Sequence, residues 1–225
     1  MDIENDFELP TAKDIEYYQR VREVGRELNH ELLEQLPKSA LKECGKKLGI
    51  WRSNALVLGE EKHIAVFYDY CLHQFRINKT NVIERYLVMS PPDGNSIELS
   101  VLQSLTQSYY SVFAVKELFE NKGVLIVDLL YQKEIFIIDM AISRTASVGL
   151  VFAGHVLPLK QFHMTSGAWL PIPIQLLENG KLLSILEKFL DEDSDDFLSK
   201  SREANFAAQI IRTVLKAEAE EDEWM

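Results

Sequence analysis

The apolar residues of this chain recur at three- and four-residue steps as far as residue 107. From Ser108 to about residue 174 they fall instead into short β-rich runs, and beyond that the helical steps return. A helical repeat lines one side of a helix, whereas a strand alternates its faces, so the two periods cannot share one element. The chain is therefore expected to be an α+β protein. N-terminal helices should precede a small antiparallel β-barrel or curled sheet at about 108–174, and C-terminal helices should pack back on it. The regions are then 1–107, mainly helical; 108–174, barrel-like; and 175–225, helical with an acidic tail, the three forming one compact unit.

Local signals sharpen the helical parts. Residues 12–35 place Ile15, Tyr18, Val21, Val24, Leu28 and Leu32 on one stripe; Thr11 is the expected N-cap with Asp14 three positions on, and Pro37 ends the helix. A short helix ending at Gly49 should follow, then one over residues 60–75. Residues 90–96, SPPDGNS, form a clear break, after which Ser96 should cap a helix over 96–107. Two helices are expected after residue 174, the second capped by Ser194.

Net charge excludes some roles. The chain carries −11, distributed as −6 over residues 1–36, +4 over 37–52, −2 over 53–107, zero over 108–174 and −7 over 175–225. Acidic ends repel nucleic acid and anionic lipid over most of the surface. The longest apolar runs are too short to span a bilayer as helices, so no membrane insertion is expected. The start, MDIENDFELP, lacks the basic and apolar regions of a secretory signal, and two cysteines, Cys44 and Cys71, do not make a disulfide scaffold. A soluble cytoplasmic protein is expected.

Several constellations could carry chemistry. If Gln132 and Lys133 form a two-residue turn, Asp128 faces Ile137 and Ile126 faces Asp139, which makes the two aspartates diagonal neighbours roughly 7–8 Å apart. Paired carboxylates can divide acid and base roles, and Arg144 could return to one of them. With His155 these are the candidate catalytic residues of a small hydrolase or transferase. The loop after Asp139 offers Ser143, Arg144, Thr145 and Ser147 as an anion site, although local hydroxyl–backbone bonds at a barrel corner explain the same residues. Lys42, Lys46, Lys47 and Arg52 beside Trp51 could hold phosphates and stack a base. The histidines lack the paired spacing of a zinc site, so no metal and no cofactor are expected. The run DEDSDD at 191–196 lacks the glycine and final glutamate of a calcium loop and reads as a solvated turn.

The last ten residues, KAEAEEDEWM, resemble the glutamate-rich C-terminal signals of substrates of bacterial type IV secretion, which implies export as an alternative to a cytoplasmic location. No nucleophile elbow, phosphate loop, dinucleotide glycine pattern or H-E-x-x-H occurs, which lowers the case for an enzyme. The expected function is a non-enzymatic protein-interaction or adaptor module, binding through the 143–147 loop and aromatic anchors such as Trp169, Tyr109 or Phe162. The hydrolase or transferase and the nucleic-acid binder are its alternatives.

Overall fold

The structure is a computed structural model that describes residue 7 and residues 9–190 and 197–222. The acidic run at 191–196 and the end of the tail, residues 223–225, lie outside the described residues, and so does Ser194.

Helix α1 (Ala12–Glu34) opens with the expected reciprocal cap, Thr11 accepting from the Asp14 backbone while Asp14 accepts from that of Thr11. Helix α2 (Lys38–Leu48) ends on Gly49 in the left-handed conformation, φ 75°. A two-residue hairpin follows, β1 (Trp51–Arg52) and β2 (Ala55–Leu56), turning on Ser53 and Asn54 with positive φ. Then come α3 (Glu61–Gln74), α4 (Val82–Met89) and α5 (Ile97–Gln107), the last capped by Ser96 as expected.

The β region comprises β3 (Tyr109–Phe119), β4 (Gly123–Asp128), β5 (Lys133–Ile137), β6 (Val151–Pro158), β7 (His163–Thr165) and β8 (Leu170–Pro171), with a short helix α6 (Met140–Thr145) between β5 and β6. Among the described residues five strands close a barrel in the order β3-β4-β5-β7-β6 and back to β3, and β8 adds to β6. The fold is therefore α+β around a small barrel, as expected from the change of period. The barrel is mixed rather than wholly antiparallel, because β5 and β7 run parallel at the closing seam, where Ile137 pairs with His163.

Alternation along β3 and β6 sorts side chains between two environments. Phe113, Val115, Phe152 and Val156 fill the barrel with Val124, Ile126 and Ile137. Tyr110, Val112, Val151 and Ala153 point outward into a core shared with α2, α3 and the C-terminal helices. A further core joins α1, α4 and α5 to Leu157, Phe162 and Met164.

The C-terminal helices differ from expectation at their ends. One anticipated helix is broken into α7 (Ile174–Glu178) and α8 (Lys181–Phe189), because Gly180 adopts φ 70° between them. Helix α9 (Lys200–Asp222) has its first turn held by Ser199, whose carbonyl accepts from the Glu203 N–H and whose hydroxyl accepts from Arg202 N.

Candidate functional site

The register of the β4–β5 hairpin corrects the expected carboxylate pair. Asp128 pairs with Lys133, so the turn has four residues and Asp139 falls beyond the strand. Asp128 is fully buried, and its Oδ1 accepts from Ser111 Oγ at 2.6 Å, Leu130 N at 2.9 Å and Tyr131 N at 3.0 Å, closing the turn. Burial raises its pKa, while these hydrogen bonds act in the opposite direction. Asp139 caps α6 through Ala141 N and Ile142 N and pairs with Arg22 of α1 at 2.7 Å. The two aspartates tie down different pieces of backbone.

Arg144 does not return to Asp139 either; its Nε donates to Asn121 Oδ1 at 2.9 Å. The Ser143 hydroxyl donates to Met140 O and that of Thr145 to Ala141 O, within α6, so these groups serve their own helix rather than converge with Arg144 on an anion. Ser147 is exposed in the loop that follows. Trp169 is half-buried with its ring edge-on to Phe152, and Phe162 is buried against Tyr17 and Tyr18, so neither is an exposed anchor.

His155 has a different set of partners. Its strand face turns it outward from the barrel, toward α3 and α9. There Asp69 and His73, one helical turn apart, meet it with Gln74, Ser108 and Glu203, all buried. His155 Nδ1 lies 2.6 Å from Asp69 Oδ2, His73 Nε2 lies 3.8 Å from Asp69 Oδ1, and the two imidazoles stack with centroids 4.0 Å apart. Gln74 Nε2 donates to Glu203 Oε1 at 2.9 Å and stands 3.3 Å from His155 Nε2. Burial alone would raise the pKa of Asp69, but the charge and hydrogen bond of His155, together with His73 and Ser166, carry it below its ordinary value. The pKa of His73 is pushed down to about 3, first by burial and then by His155, so it is neutral at pH 7. Asp69, His73 and His155 form the group among the described residues able to hold a metal ion, their ligand atoms lying within 4.8 Å of one another.

A second feature is open to solvent. A cleft of about 1030 Å³ runs between the end of α2, the β1–β2 hairpin, α8 and α9. Lys47, Arg52, Lys181, Lys188, Arg212 and Lys216 line it, with apolar surface from Leu48, Ile50, Val57, Leu58 and Leu215. Glu218 also lines it but is bonded to Lys62 at 2.9 Å and His63 at 2.7 Å, and Glu220 pairs with Lys216. Among the described residues Lys47, Arg52, Lys181 and Arg212 have no carboxylate partner. The basic stretch anticipated at 38–52 thus supplies one wall, through Lys47 and Arg52. Lys42 and Lys46 are exposed away from the lining. Trp51 is not a free stacking surface, because its ring covers Gly45, whose absent Cβ would lie 3.2 Å from it.

These features define an α+β protein with a small closed barrel, a buried histidine–carboxylate cluster and a cationic cleft. Residues 12–206 match the Family of unknown function (DUF7986), and the chain belongs to that family. No curated protein and no solved structure matches it. Among the described residues no helix is long and apolar enough to cross a membrane.

Proposed function

We propose that the protein is a non-enzymatic binding module that takes an acidic, partly apolar segment of a protein partner into the cleft between α2, the hairpin, α8 and α9. The observation that carries this reading is the concentration of six cationic side chains in one 1030 Å³ cleft of a chain whose net charge is −11. A cationic, partly apolar trough favours carboxylates flanking one or two apolar side chains. A nucleic acid suits it less well. Its continuous phosphate charge would meet a chain of net charge −11, and Trp51 packs over Gly45. An enzyme reading based on Asp128, Asp139 and Arg144 loses its support because those residues do not meet. The reading also places the protein in the cytoplasm, where the buried free thiols Cys44 and Cys71 stay reduced.

The test is fluorescence anisotropy with a labelled peptide of alternating glutamate and leucine pairs, run beside a single-stranded oligonucleotide. Saturable peptide binding is expected at low salt. The double variant Lys47→Glu/Arg212→Glu should weaken it about tenfold or more, equivalent to roughly 1.4 kcal/mol. Lys133→Glu, on the barrel, should leave it unchanged. Equal affinity of the wild type and the double variant would reject the cleft, and preferential capture of the oligonucleotide would replace the peptide by nucleic acid.

A further inference from the structure

We propose that Asp69, His73 and His155 form a buried site for one divalent transition-metal ion of the zinc class. The proposal does not depend on what the cleft binds. It rests on the direction of each hydrogen bond around the two imidazoles.

The Ser108 hydroxyl donates to Leu105 O at 2.8 Å, so its Oγ is left to accept from His73 Nδ1, 3.1 Å away. The proton of this imidazole is then on Nδ1, and Nε2 presents a lone pair to Asp69 Oδ1 across 3.8 Å. Two acceptors facing one another in a buried setting call for a cation between them. On the other side, the Gln74 amide group donates toward His155 Nε2, so that imidazole carries its proton on Nδ1 and donates to Asp69 Oδ2 at 2.6 Å. The single proton among these groups therefore lies between His155 Nδ1 and Asp69 Oδ2, and none lies between His73 Nε2 and Asp69 Oδ1. An ion held by all three replaces that proton and also satisfies the facing lone pair.

The dimensions set what this exchange requires. Ligand atoms about 2.0–2.1 Å from a tetrahedral zinc ion stand roughly 3.3 Å apart. The present separations are 2.6 Å to Asp69 Oδ2 and 3.8 Å to Asp69 Oδ1, with all three ligand atoms within 4.8 Å of one another, so the rings must turn out of their 4.0 Å stack for both nitrogens to face one ion. Two imidazoles and a carboxylate form a nitrogen–oxygen set that suits zinc, cobalt or ferrous iron rather than calcium or magnesium.

The supporting groups match those that metal-bound histidines use. Each ligand imidazole needs a partner for its remote N–H. Ser108 already accepts from that of His73. Once the His155 proton moves to Nε2, the Gln74 amide, whose nitrogen faces it at 3.3 Å, must turn over to present its Oε1, which has no partner among the described residues, or Glu203 Oε1 must close in from 4.0 Å. Asp69 and Glu203 together would balance a dication in this buried setting, and Lys200 stands outside them, 3.7 Å from Glu203.

The experiment uses the full chain without a polyhistidine tag, stripped by chelator and titrated with Co²⁺ and then Zn²⁺. Expected is one equivalent per chain, visible d–d absorption from the cobalt form, and displacement of cobalt by zinc. Ser108→Ala should weaken uptake about tenfold. Asp69→Asn and His155→Gln should abolish it, while His30→Gln, at an exposed site on α1, should not change it. Circular dichroism identifies which variants fold. If those at Asp69 and His155 do not, X-ray absorption at the zinc edge of the wild type decides, with two imidazoles expected in the first shell. The proposal is overturned by an absence of saturable one-to-one uptake in the folded wild type, by full uptake in folded His155→Gln, or by a zinc edge without imidazole.

Discussion

Replacing Arg22 by alanine is expected to lower the free energy of unfolding by about 3–5 kcal/mol, the usual cost of removing one partner from a buried ion pair. Arg22 lies on α1 and reaches the barrel with three of its donors. Nη2 donates to Asp139 Oδ2 at 2.7 Å and to Thr165 Oγ1 at 3.1 Å, while Nη1 donates to Thr165 O at 2.7 Å. Its Nε donates to Tyr18 Oη, one turn back on the same helix, at 3.0 Å. The Asp139 side chain is only 3% exposed, so without Arg22 its carboxylate stays buried with one oxygen committed to the cap of α6. Urea unfolding of Arg22→Ala, Asp139→Asn and the double variant tests this. The double variant should be much less destabilised than the sum of the singles, because the amide no longer carries the charge that Arg22 balanced. A loss below 1 kcal/mol for Arg22→Ala would mean that solvent reaches Asp139 and that the bridge between α1 and the barrel is not structural.

That bridge also shows where sequence reading ends. The change of period at Ser108, the Thr11 cap, the Gly49 stop and the Ser96 cap are local properties of a few consecutive residues, and each is found in the structure. Turn length was less accessible. A single residue more or less between β4 and β5 moves every pairing, and Gln132 at φ 52° belongs to a four-residue turn rather than to the expected two-residue one. The parallel seam between β5 and β7 joins residues 137 and 163, and no local pattern reports it.

The histidine–carboxylate cluster was invisible for the same reason. Asp69 and His73 stand at an i, i+4 spacing that could have been noticed on α3, but two ligands on one helix turn are common on solvated surfaces. His155 arrives from a strand 82 residues after His73 and Glu203 from α9, so only the tertiary fold brings the set together. The cleft was half legible. The basic stretch at 38–52 stands out by composition, whereas Lys181, Lys188, Arg212 and Lys216 are hidden in a C-terminal region whose net charge is −7. Local bonding explains the hydroxyl-rich segment after Asp139 without an anion. Three of its residues belong to a six-residue helix that consumes the hydroxyls of Ser143 and Thr145.

Gly123→Ala is the second substitution expected to have a large effect, about 3–5 kcal/mol or a failure to close the barrel. The residue sits at the start of β4 with φ 154°, and a Cβ there would lie 2.2 Å from Ile137 O and 2.9 Å from Phe136 Cζ. The nearer atom is backbone, so no rotamer change relieves the clash, and overpacking adds to the strain of a positive φ. Ile137 pairs with Val124 on one side and supplies the β5 contact to His163 on the other, so displacing it acts on the seam where the barrel closes. Gly149→Ala is the matched control: φ is 87° there, but nothing lies within 4 Å of an added Cβ, so only the conformational cost of about 1–2 kcal/mol applies. Thermal unfolding of the two variants should place Gly123→Ala well below Gly149→Ala, and limited proteolysis should cut the former first within β5 to β7. If the two variants unfold together, the close approach at Gly123 is relieved by a small slide of β4. The seam between β5 and β7 would then be soft, and closure would depend on the long antiparallel pairings of β3 with β4 and β6.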